Sequence, residues 1–151
     1  MAAEKGHAGA QNRLGRCYYH GRGVEKNHVE AVKLYRQAVE HGYVGAQYDL
    51  GVSYEHGEGV EKNMAEAVKW YHQAAEQSYA YAQNNLGVSY EHGEGEEKNM
   101  AEAVKWYHQA AEQSYAYAQN NLGRCYYFSY GHCERDLGKA EHWLAKAVEN
   151  G

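Results

Sequence analysis

The feature that most constrains this chain is an internal repeat of 36 residues. The pair Leu-Gly recurs at residues 14–15, 50–51, 86–87 and 122–123, and residues 51–86 and 87–122 differ only at Val60 against Glu96. A fixed period of about 20 to 50 residues is typical of solenoids, in which each unit buries its apolar face against its neighbours. We predict a single repeat domain over 1–151, with repeats at 7–42, 43–78, 79–114 and 115–151.

Each repeat is predicted to contain two helices, as the third repeat shows. Apolar and small residues recur at helical spacing along its first half, and the Gly-x-Gly at 93–95 ends that helix because glycine readily forms a left-handed cap. Asn99 and Glu102 have the spacing of a capping box, which recurs at 27/30 and 63/66. The predicted buried stripes are Tyr79, Ala82, Leu86, Tyr90 and Gly93 in the first helix, and Met100, Ala103, Val104, Tyr107, Ala110 and Ala111 in the second.

These motifs resemble the Sel1-like repeat family, which is related to tetratricopeptide repeats. The 36-residue period and the Gly-x-Gly loop argue against the tetratricopeptide class itself, whose period is about 34 residues. The resemblance covers nearly the whole chain and implies an all-α fold, a right-handed αα-hairpin superhelix (a solenoid) with the first helices on its concave side. The second repeat shows the family pattern at Ala46, Leu50-Gly51, Tyr54, Gly57, Gly59-Val60, Asn63, Glu66-Ala67, Trp70-Tyr71 and Ala74-Ala75.

The ends of the chain depart from the regular pattern. The fourth repeat has Ser129 in place of the first loop glycine and one extra residue before Asp136, so we expect an irregular loop there. Residues 1–6 are expected to be the tail of a preceding second helix. We therefore expect the chain to have been cut from a longer array.

The candidate binding surface is the side of the first helices that faces away from the buried leucines. Repeated asparagines beside tyrosines suit an extended peptide, because amides can pair with its backbone and aromatic rings supply contact area at low entropic cost. The alternative is a merely soluble surface copied in tandem. The candidate residues are Asn12, Arg16, Tyr19, His20, Tyr48, Val52, Glu55, His56, Tyr81, Asn84, Asn85, Val88, Glu91, His92, Tyr117, Asn120, Asn121, Arg124, Tyr127 and Phe128.

Charge is distributed unevenly along the array. The first repeat has six basic and three acidic residues, whereas each central repeat has two basic and six acidic residues. An acidic centre argues against a nucleic-acid partner and favours a protein or peptide with a basic segment. The alternative is that the glutamates only keep the surface soluble. No apolar run is long enough for membrane insertion.

Metal binding and catalysis are not supported by the spacing of the titratable residues. The histidines recur one repeat apart, too far to share one ion, and His132 with Cys133 lacks further ligands. We predict no metal, no cofactor and no enzyme activity, since no Ser-x-x-Lys, Gly-x-Ser-x-Gly or phosphate-loop motif occurs. Cys17, Cys125 and Cys133 are predicted to be reduced thiols, with a Cys125–Cys133 bridge as the alternative.

Two functions follow from this sequence. The first is a protein–protein interaction scaffold, or adaptor, that binds a peptide or protein segment on its concave face. The second is a structural spacer, or a self-associating part of a longer array through its exposed terminal repeats, without a ligand of its own. The odd cysteine count and the lack of an N-terminal signal sequence favour a cytoplasmic location.

Overall fold

The computed structural model describes residues 2–130 and 133–151, and within these residues all regular structure is helical. The fold is an all-α solenoid of helical hairpins, which confirms the predicted fold class. Contacts divide the chain into two compact units, residues 1–74 and 75–151, which we describe separately. The helices are α1 (Ala2–His20), α2 (His28–Glu40), α3 (Val44–His56), α4 (Met64–Glu76), α5 (Ala80–His92), α6 (Met100–Ala111), α7 (Ala116–Phe128) and α8 (Leu137–Asn150).

The recurrent Leu-Gly pair is explained by the close approach of the two helices of a hairpin. A Cβ added to Gly87 on α5 would lie 2.6 Å from Cε1 of Tyr107 on α6 and 3.2 Å from the carbonyl oxygen of Ala103. Gly51 on α3 meets Tyr71 on α4 in the same way. Only glycine fits at this position because the facing ring occupies the space of any larger side chain.

The second helices begin at the predicted capping residues. The Oδ1 atom of Asn99 accepts a hydrogen bond from the backbone N–H of Glu102 at 3.1 Å. Asn63 does the same one repeat earlier, and Asn27 two repeats earlier. The backbone N–H of Asn99 donates to the carbonyl oxygen of Tyr90 at 2.9 Å. The cap residue is therefore also bonded to the end of the preceding helix, a contact that the capping-box pattern did not predict.

The first helices end in a left-handed residue, as predicted. Gly93 has φ 69°, and Ser129 adopts the same conformation with φ 59° although it carries a side chain. In the fourth repeat the side chain of Asp136 accepts from the backbone N–H of Lys139 at 2.9 Å, so α8 begins with the same kind of cap as α2, α4 and α6. The predicted irregular loop includes residues 131 and 132, which lie outside the described residues.

Each unit has a core built from the second helix of one repeat and the first helix of the next. In residues 1–74, Ala31, Tyr35 and Ala38 of α2 pack with Leu50 of α3. In residues 75–151 the corresponding cluster joins α6 to α7, and its buried members are Ala103, Tyr107, Ala110, Ala111, Ala118, Leu122 and Cys125. Within the predicted stripes, Tyr79, Tyr90, Met100 and Val104 are only half-buried, and Gly93 is exposed.

Residues 2–6 differ from their predicted arrangement. They continue α1 without a break, whereas the sequence predicted the tail of a separate, preceding helix. Gly6 corresponds to Gly42, which has φ 71° and separates α2 from α3. No atom lies within 4 Å of a Cβ added to Gly6, so no packed neighbour forces the chain out of the helix there.

Replacing Gly87 with alanine is expected to lower the free energy of unfolding by about 1–3 kcal/mol, because the new methyl group overlaps the Tyr107 ring. Urea unfolding followed by circular dichroism measures the change. Gly6→Ala is the matched control, since its site is open and alanine favours the helix, so its stability should be unchanged or higher by up to about 1 kcal/mol. Equal losses in both variants would contradict the close-approach explanation.

Candidate functional site

The predicted binding surface, here called the first-helix face, contains residues of three kinds. Two are buried: Asn12 and Asn84. Ten are half-buried: Arg16, Tyr19, Tyr48, Val52, Glu55, Asn85, Val88, Glu91, Asn121 and Arg124. Eight are exposed: His20, His56, Tyr81, His92, Tyr117, Asn120, Tyr127 and Phe128.

The two buried asparagines correct the sequence prediction that they face solvent. Asn12 donates from Nδ2 to Oδ2 of Asp49 at 2.7 Å, and Asn84 accepts at Oδ1 from Nδ2 of Asn121 at 3.0 Å. In each case the partner belongs to the first helix of the following repeat. A helical wheel describes a single helix and does not show that a neighbouring helix covers this position.

In residues 1–74, a charged pair joins the first two repeats. The guanidinium of Arg16 donates from Nε to Oδ2 of Asp49 at 2.7 Å and from Nη2 to Oδ1 at 3.2 Å. Such a two-point pair fixes the relative orientation of the two side chains. Arg16 and Asn12 therefore share one carboxylate, and their polar groups hold α1 to α3.

The carboxylates of Glu55 and Glu91 bind tyrosine hydroxyls of the second helices. The hydroxyl of Tyr71 donates to Glu55 at 3.0 Å, and that of Tyr107 donates to Glu91. Glu91 also accepts from Nη2 of Arg124 at 2.8 Å. Burial, followed by the hydrogen bond to Glu91, raises the pKa of Tyr107, so this hydroxyl stays protonated.

Tyr19 is likewise engaged within its own unit. Its hydroxyl donates to the carboxylate of Glu58, and its ring centroid lies 4.8 Å from that of His28. Burial, with the hydrogen bond to Glu58, raises the pKa of Tyr19, and the same bond lowers the pKa of Glu58. The sequence did not indicate Glu58 because it lies in the loop after α3, away from the first-helix pattern.

Two exposed histidines have one ring nitrogen engaged. Nδ1 of His56 lies 3.0 Å from the carbonyl oxygen of Val52, and Nδ1 of His92 lies 3.0 Å from that of Val88. A carbonyl oxygen only accepts, so Nδ1 must carry the proton in both rings. Nε2 is thus the nitrogen left for solvent or a partner.

Four tyrosines of residues 75–151 form a row of ring contacts that is partly exposed. We call Tyr79, Tyr81, Tyr115 and Tyr117 the tyrosine row. Ring centroids are 5.5 Å apart for the first pair, 4.8 Å for Tyr81 and Tyr115, and 5.6 Å for the last pair. Tyr81 is 48% exposed and Tyr117 71%.

Two members of the row were not among the predicted site residues. Tyr79 and Tyr115 immediately precede α5 and α7, and the sequence assigned Tyr79 to the core. Burial, followed by the neighbouring tyrosines, raises the pKa of Tyr115 to about 12. The signal that would have identified the row is the Tyr-x-Tyr at the start of each of these helices.

A second aromatic cluster lies at the end of α7. The rings of Tyr127 and Phe128 are 4.8 Å apart, and Phe128 stacks on Tyr130 at 5.6 Å. The guanidinium carbon of Arg135 lies 5.9 Å from the Tyr127 ring centroid. This cluster brings two predicted residues together with two that the sequence did not indicate.

The titratable groups were also considered as metal ligands in the described part of the chain. Within residues 2–130 and 133–151, no group of three or more His, Cys, Asp or Glu is placed to hold a metal ion. His132, considered with Cys133 as a ligand pair, lies outside the described residues. All three cysteines are free, so the alternative Cys125–Cys133 bridge is not formed. No helix in the described ranges is both long and apolar enough to cross a bilayer.

Comparison with known proteins gives one family and several solved structures. The Sel1 repeat matches residues 8–43, 44–79, 80–115 and 116–151. These boundaries lie one residue after the predicted repeat starts. Among curated proteins, none matches the chain.

Two solved structures are similar in both sequence and fold. One is c5321, a protective antigen of uropathogenic Escherichia coli strains displaying an SLR fold, with 42% identity and a TM-score of 0.91 over 99% of this chain and 32% of that one. The other is a Sel1 repeat protein from Oxalobacter formigenes, with 33% identity and a TM-score of 0.89 over 95% and 58%. The chain thus spans about a third of the length of the first of these proteins and somewhat over half of the length of the second. The immunity protein Pa5087 from Pseudomonas aeruginosa, at 21% identity and a TM-score of 0.52 over 95% and 66%, is similar in fold alone.

The thiol of Cys125 is expected to be alkylated by iodoacetamide at pH 8 more than about tenfold slower than that of Cys17. Burial raises the pKa of Cys125 to about 12, so little thiolate forms, and the side chain is inaccessible. Cys17 occupies the equivalent position in the first repeat but is half-exposed. Peptide mass spectrometry after timed labelling measures both rates.

The control for this experiment is the unfolded chain, in which the two cysteines should react alike. Cys125→Ser should leave the fold intact, because serine occupies the equivalent positions 53 and 89 and donates to a helix carbonyl there. Rapid labelling of Cys125 in the folded chain would contradict its burial.

Proposed function

Because the chain belongs to the Sel1 repeat family, whose helical repeats typically mediate protein–protein interaction, we propose that it binds an extended peptide segment on its first-helix face. The observation that supports this most is the tyrosine row. Four aromatic rings contact one another in sequence, and two of them, Tyr81 and Tyr117, are exposed. The row replaces the twenty-residue surface predicted from sequence as the centre of the proposed site.

The row has the physical properties of a peptide-binding surface. A tyrosine presents a large apolar ring with few rotatable bonds, so it loses little entropy on binding. The edge-to-face contact of Tyr81 with Tyr115, whose ring planes are 71° apart, limits ring motion before a partner arrives. Such ordering in advance reduces the entropic cost of association.

The other predicted residues are assigned smaller roles. Asn12, Arg16, Glu91 and Arg124 are bonded within the chain, and a partner would have to break those bonds to use them. His92 remains a candidate contact because the residue is exposed and only its Nδ1 is engaged by the Val88 carbonyl. We propose that the polar residues position the first helices and that the tyrosines contact the partner.

The proposed partner carries a basic segment. Each of the two central repeats has six acidic and two basic residues, and Glu94 and Glu97 in the loop after α5 are exposed. A surface of one sign accelerates encounter with a partner of the opposite sign. We assign no catalytic role to the chain, in keeping with a family that is generally non-enzymatic.

A second candidate function is that of a structural spacer that stacks on further repeats or on itself. One observation favours it: Leu14 and Val148 are exposed, whereas the residues at the same positions in the two central repeats are buried. An apolar helix face of this kind is buried when another repeat packs on it, which a stacking spacer would provide.

Replacing Tyr81 and Tyr117 together with alanine is expected to weaken binding at least about tenfold, because exposed aromatic rings often dominate the energy of peptide interfaces. The probe is a fluorescent peptide selected against the intact chain from a displayed library, and fluorescence anisotropy measures its affinity. Asn84, which sequence analysis grouped with these tyrosines, is left unchanged because it is buried.

Two controls separate the rings from the fold. Tyr81→Phe with Tyr117→Phe keeps both rings and should retain most of the affinity. Tyr130→Ala removes an exposed tyrosine that lies after α7 and should have no effect. Unchanged binding by the double alanine variant, with normal helicity, would exclude the tyrosine row as the site.

A basic peptide obtained in the same selection is expected to bind more weakly as salt increases, because added ions screen the acidic repeats. The variant Glu94→Gln with Glu97→Gln should reduce both the affinity and its dependence on salt concentration. The matched control, Glu141→Gln with Glu149→Gln, changes the same charge on α8. Affinity that does not respond to salt would contradict the proposed basic segment.

A further inference from the structure

The leucine of the Leu-Gly pair is buried in every repeat except the first. Leu50, Leu86 and Leu122 have no accessible surface, whereas Leu14 is 44% exposed. The packing of the later leucines explains the difference. Leu50 packs on α2 and Leu122 on α6, in each case against the second helix of the preceding repeat. The uncovered face of α1 is therefore the half of a repeat interface that normally receives a second helix.

The other half of the same interface is exposed on α8. Val148 is 84% exposed, while Ala111, at the equivalent position of α6 and under α7, is 1% exposed. Two hollows of about 430 and 450 Å³ lie on this side of α8, and Leu144 and Val148 line both of them. The exposed face of α8 is thus a second helix that no first helix covers.

From this complementarity we infer that α8 of one copy of the chain binds α1 of a second copy, head to tail. The contact repeats the packing of α7 on α6, with Leu14 of the second copy against Leu144 and Val148 of the first. The inference rests on the second candidate function, the stacking spacer, and specifies its partner and surface. It is independent of peptide binding by the tyrosine row.

Polar residues at the two ends have matching counterparts in the internal interfaces. Asn12 pairs with Asp49, and Asn84 pairs with Asn121. In both pairs the partner lies 37 residues later, which is one repeat plus one residue. The corresponding residues at the chain ends are Asn120 and Arg13, and both are exposed. Stacking would bring the Arg13 guanidinium of the second copy to the amide oxygen of Asn120, a compatible donor and acceptor.

A glutamine contact repeats in the same way. Nε2 of Gln119 on α7 donates to the carbonyl oxygen of Ala111 on α6 at 3.1 Å. Gln11 holds the equivalent position on α1, and residue 148 holds that of Ala111 on α8. The stacked copy would therefore gain a hydrogen bond from Gln11 to the Val148 carbonyl, in addition to the apolar contact.

The two faces differ, so the proposed contact is heterologous, and each copy contributes one face of each kind. This geometry gives a specific test with two single variants. Leu14→Glu removes the α1 face and leaves α8 intact, whereas Val148→Glu does the reverse. Each variant alone should be monomeric, and an equimolar mixture should form a dimer and nothing larger, because one intact face of each kind remains.

Sedimentation velocity of the intact chain between about 1 µM and 1 mM measures the assembly, spanning weak to moderate affinities. The unmodified chain should increase in mass with concentration beyond a dimer. Val29→Glu, at an exposed valine of α2 away from both faces, is the matched control and should behave like the unmodified chain. If Leu14→Glu fails to fold by circular dichroism, Leu14→Ala replaces it and should weaken assembly at least about tenfold.

Three results distinguish the head-to-tail contact between α8 and α1 from self-association in general. Constant monomer mass up to about 1 mM would overturn both self-association and the head-to-tail contact. Self-association that persists in both single variants would overturn the contact alone and assign assembly to another surface. Association of Leu14→Glu but not of Val148→Glu would show a symmetric contact between α8 faces and would also overturn the inference.

Discussion

The contact between a first-helix glycine and a second-helix tyrosine sets the spacing of the hairpins, and several other features depend on it. Gly51 and Gly87 let the rings of Tyr71 and Tyr107 lie directly on the first helix. A buried tyrosine ring at this point places its hydroxyl where it needs an acceptor. Glu55 and Glu91 supply that acceptor, one turn after the glycine. In the fourth repeat Leu144 takes the place of the tyrosine, and the corresponding first-helix residue is Tyr127, not a glutamate. In the first repeat Tyr35 makes the same ring contact with Gly15, but the residue at the glutamate position is Tyr19. The pairing of carboxylate and hydroxyl is therefore a feature of the two central hairpins, and it explains Glu55 and Glu91 as part of them.

The polar residues of the first helices serve mainly the junctions between repeats. Asn12 with Asp49, and Asn84 with Asn121, join successive first helices at the same pair of repeat positions. Arg16 adds a two-point bond at one junction, and Arg124 reaches back to Glu91 at another. Solenoid stability depends on such nearest-neighbour interfaces as much as on each repeat. A row of amides that resembles a peptide-binding strip in sequence is therefore also what a stacked array needs for its own assembly.

The sequence predicted the fold well because its signals are local. The caps at Asn27, Asn63 and Asn99 and the left-handed turn at Gly93 depend on residues within a few positions, so spacing alone identifies them. The candidate site was predicted less well because its exposure depends on neighbouring helices. A single-helix wheel placed Asn84 toward solvent, although the following repeat covers it. It also assigned Tyr79 to the core, although this half-buried residue belongs to the tyrosine row. Burial at a repeat junction depends on two helices that are 36 residues apart in sequence.

Stacking of copies would extend the array and leave the tyrosine row accessible. The row would not continue into the second copy, however. Tyr81, which is followed by another repeat, still exposes 48% of its surface, so a following repeat leaves a ring at this position accessible. Tyr117 would acquire a comparable environment on stacking. The residues that a second copy would bring beside it are His7 and Gly9, which hold the positions of Tyr115 and Tyr117 in the first repeat. Glycine offers no ring and histidine a smaller one, so the row would end at each junction. An assembly of copies would then present separate aromatic sites at regular intervals. Such an arrangement favours partners with repeated short segments, because tethered segments bind neighbouring sites at a high effective concentration.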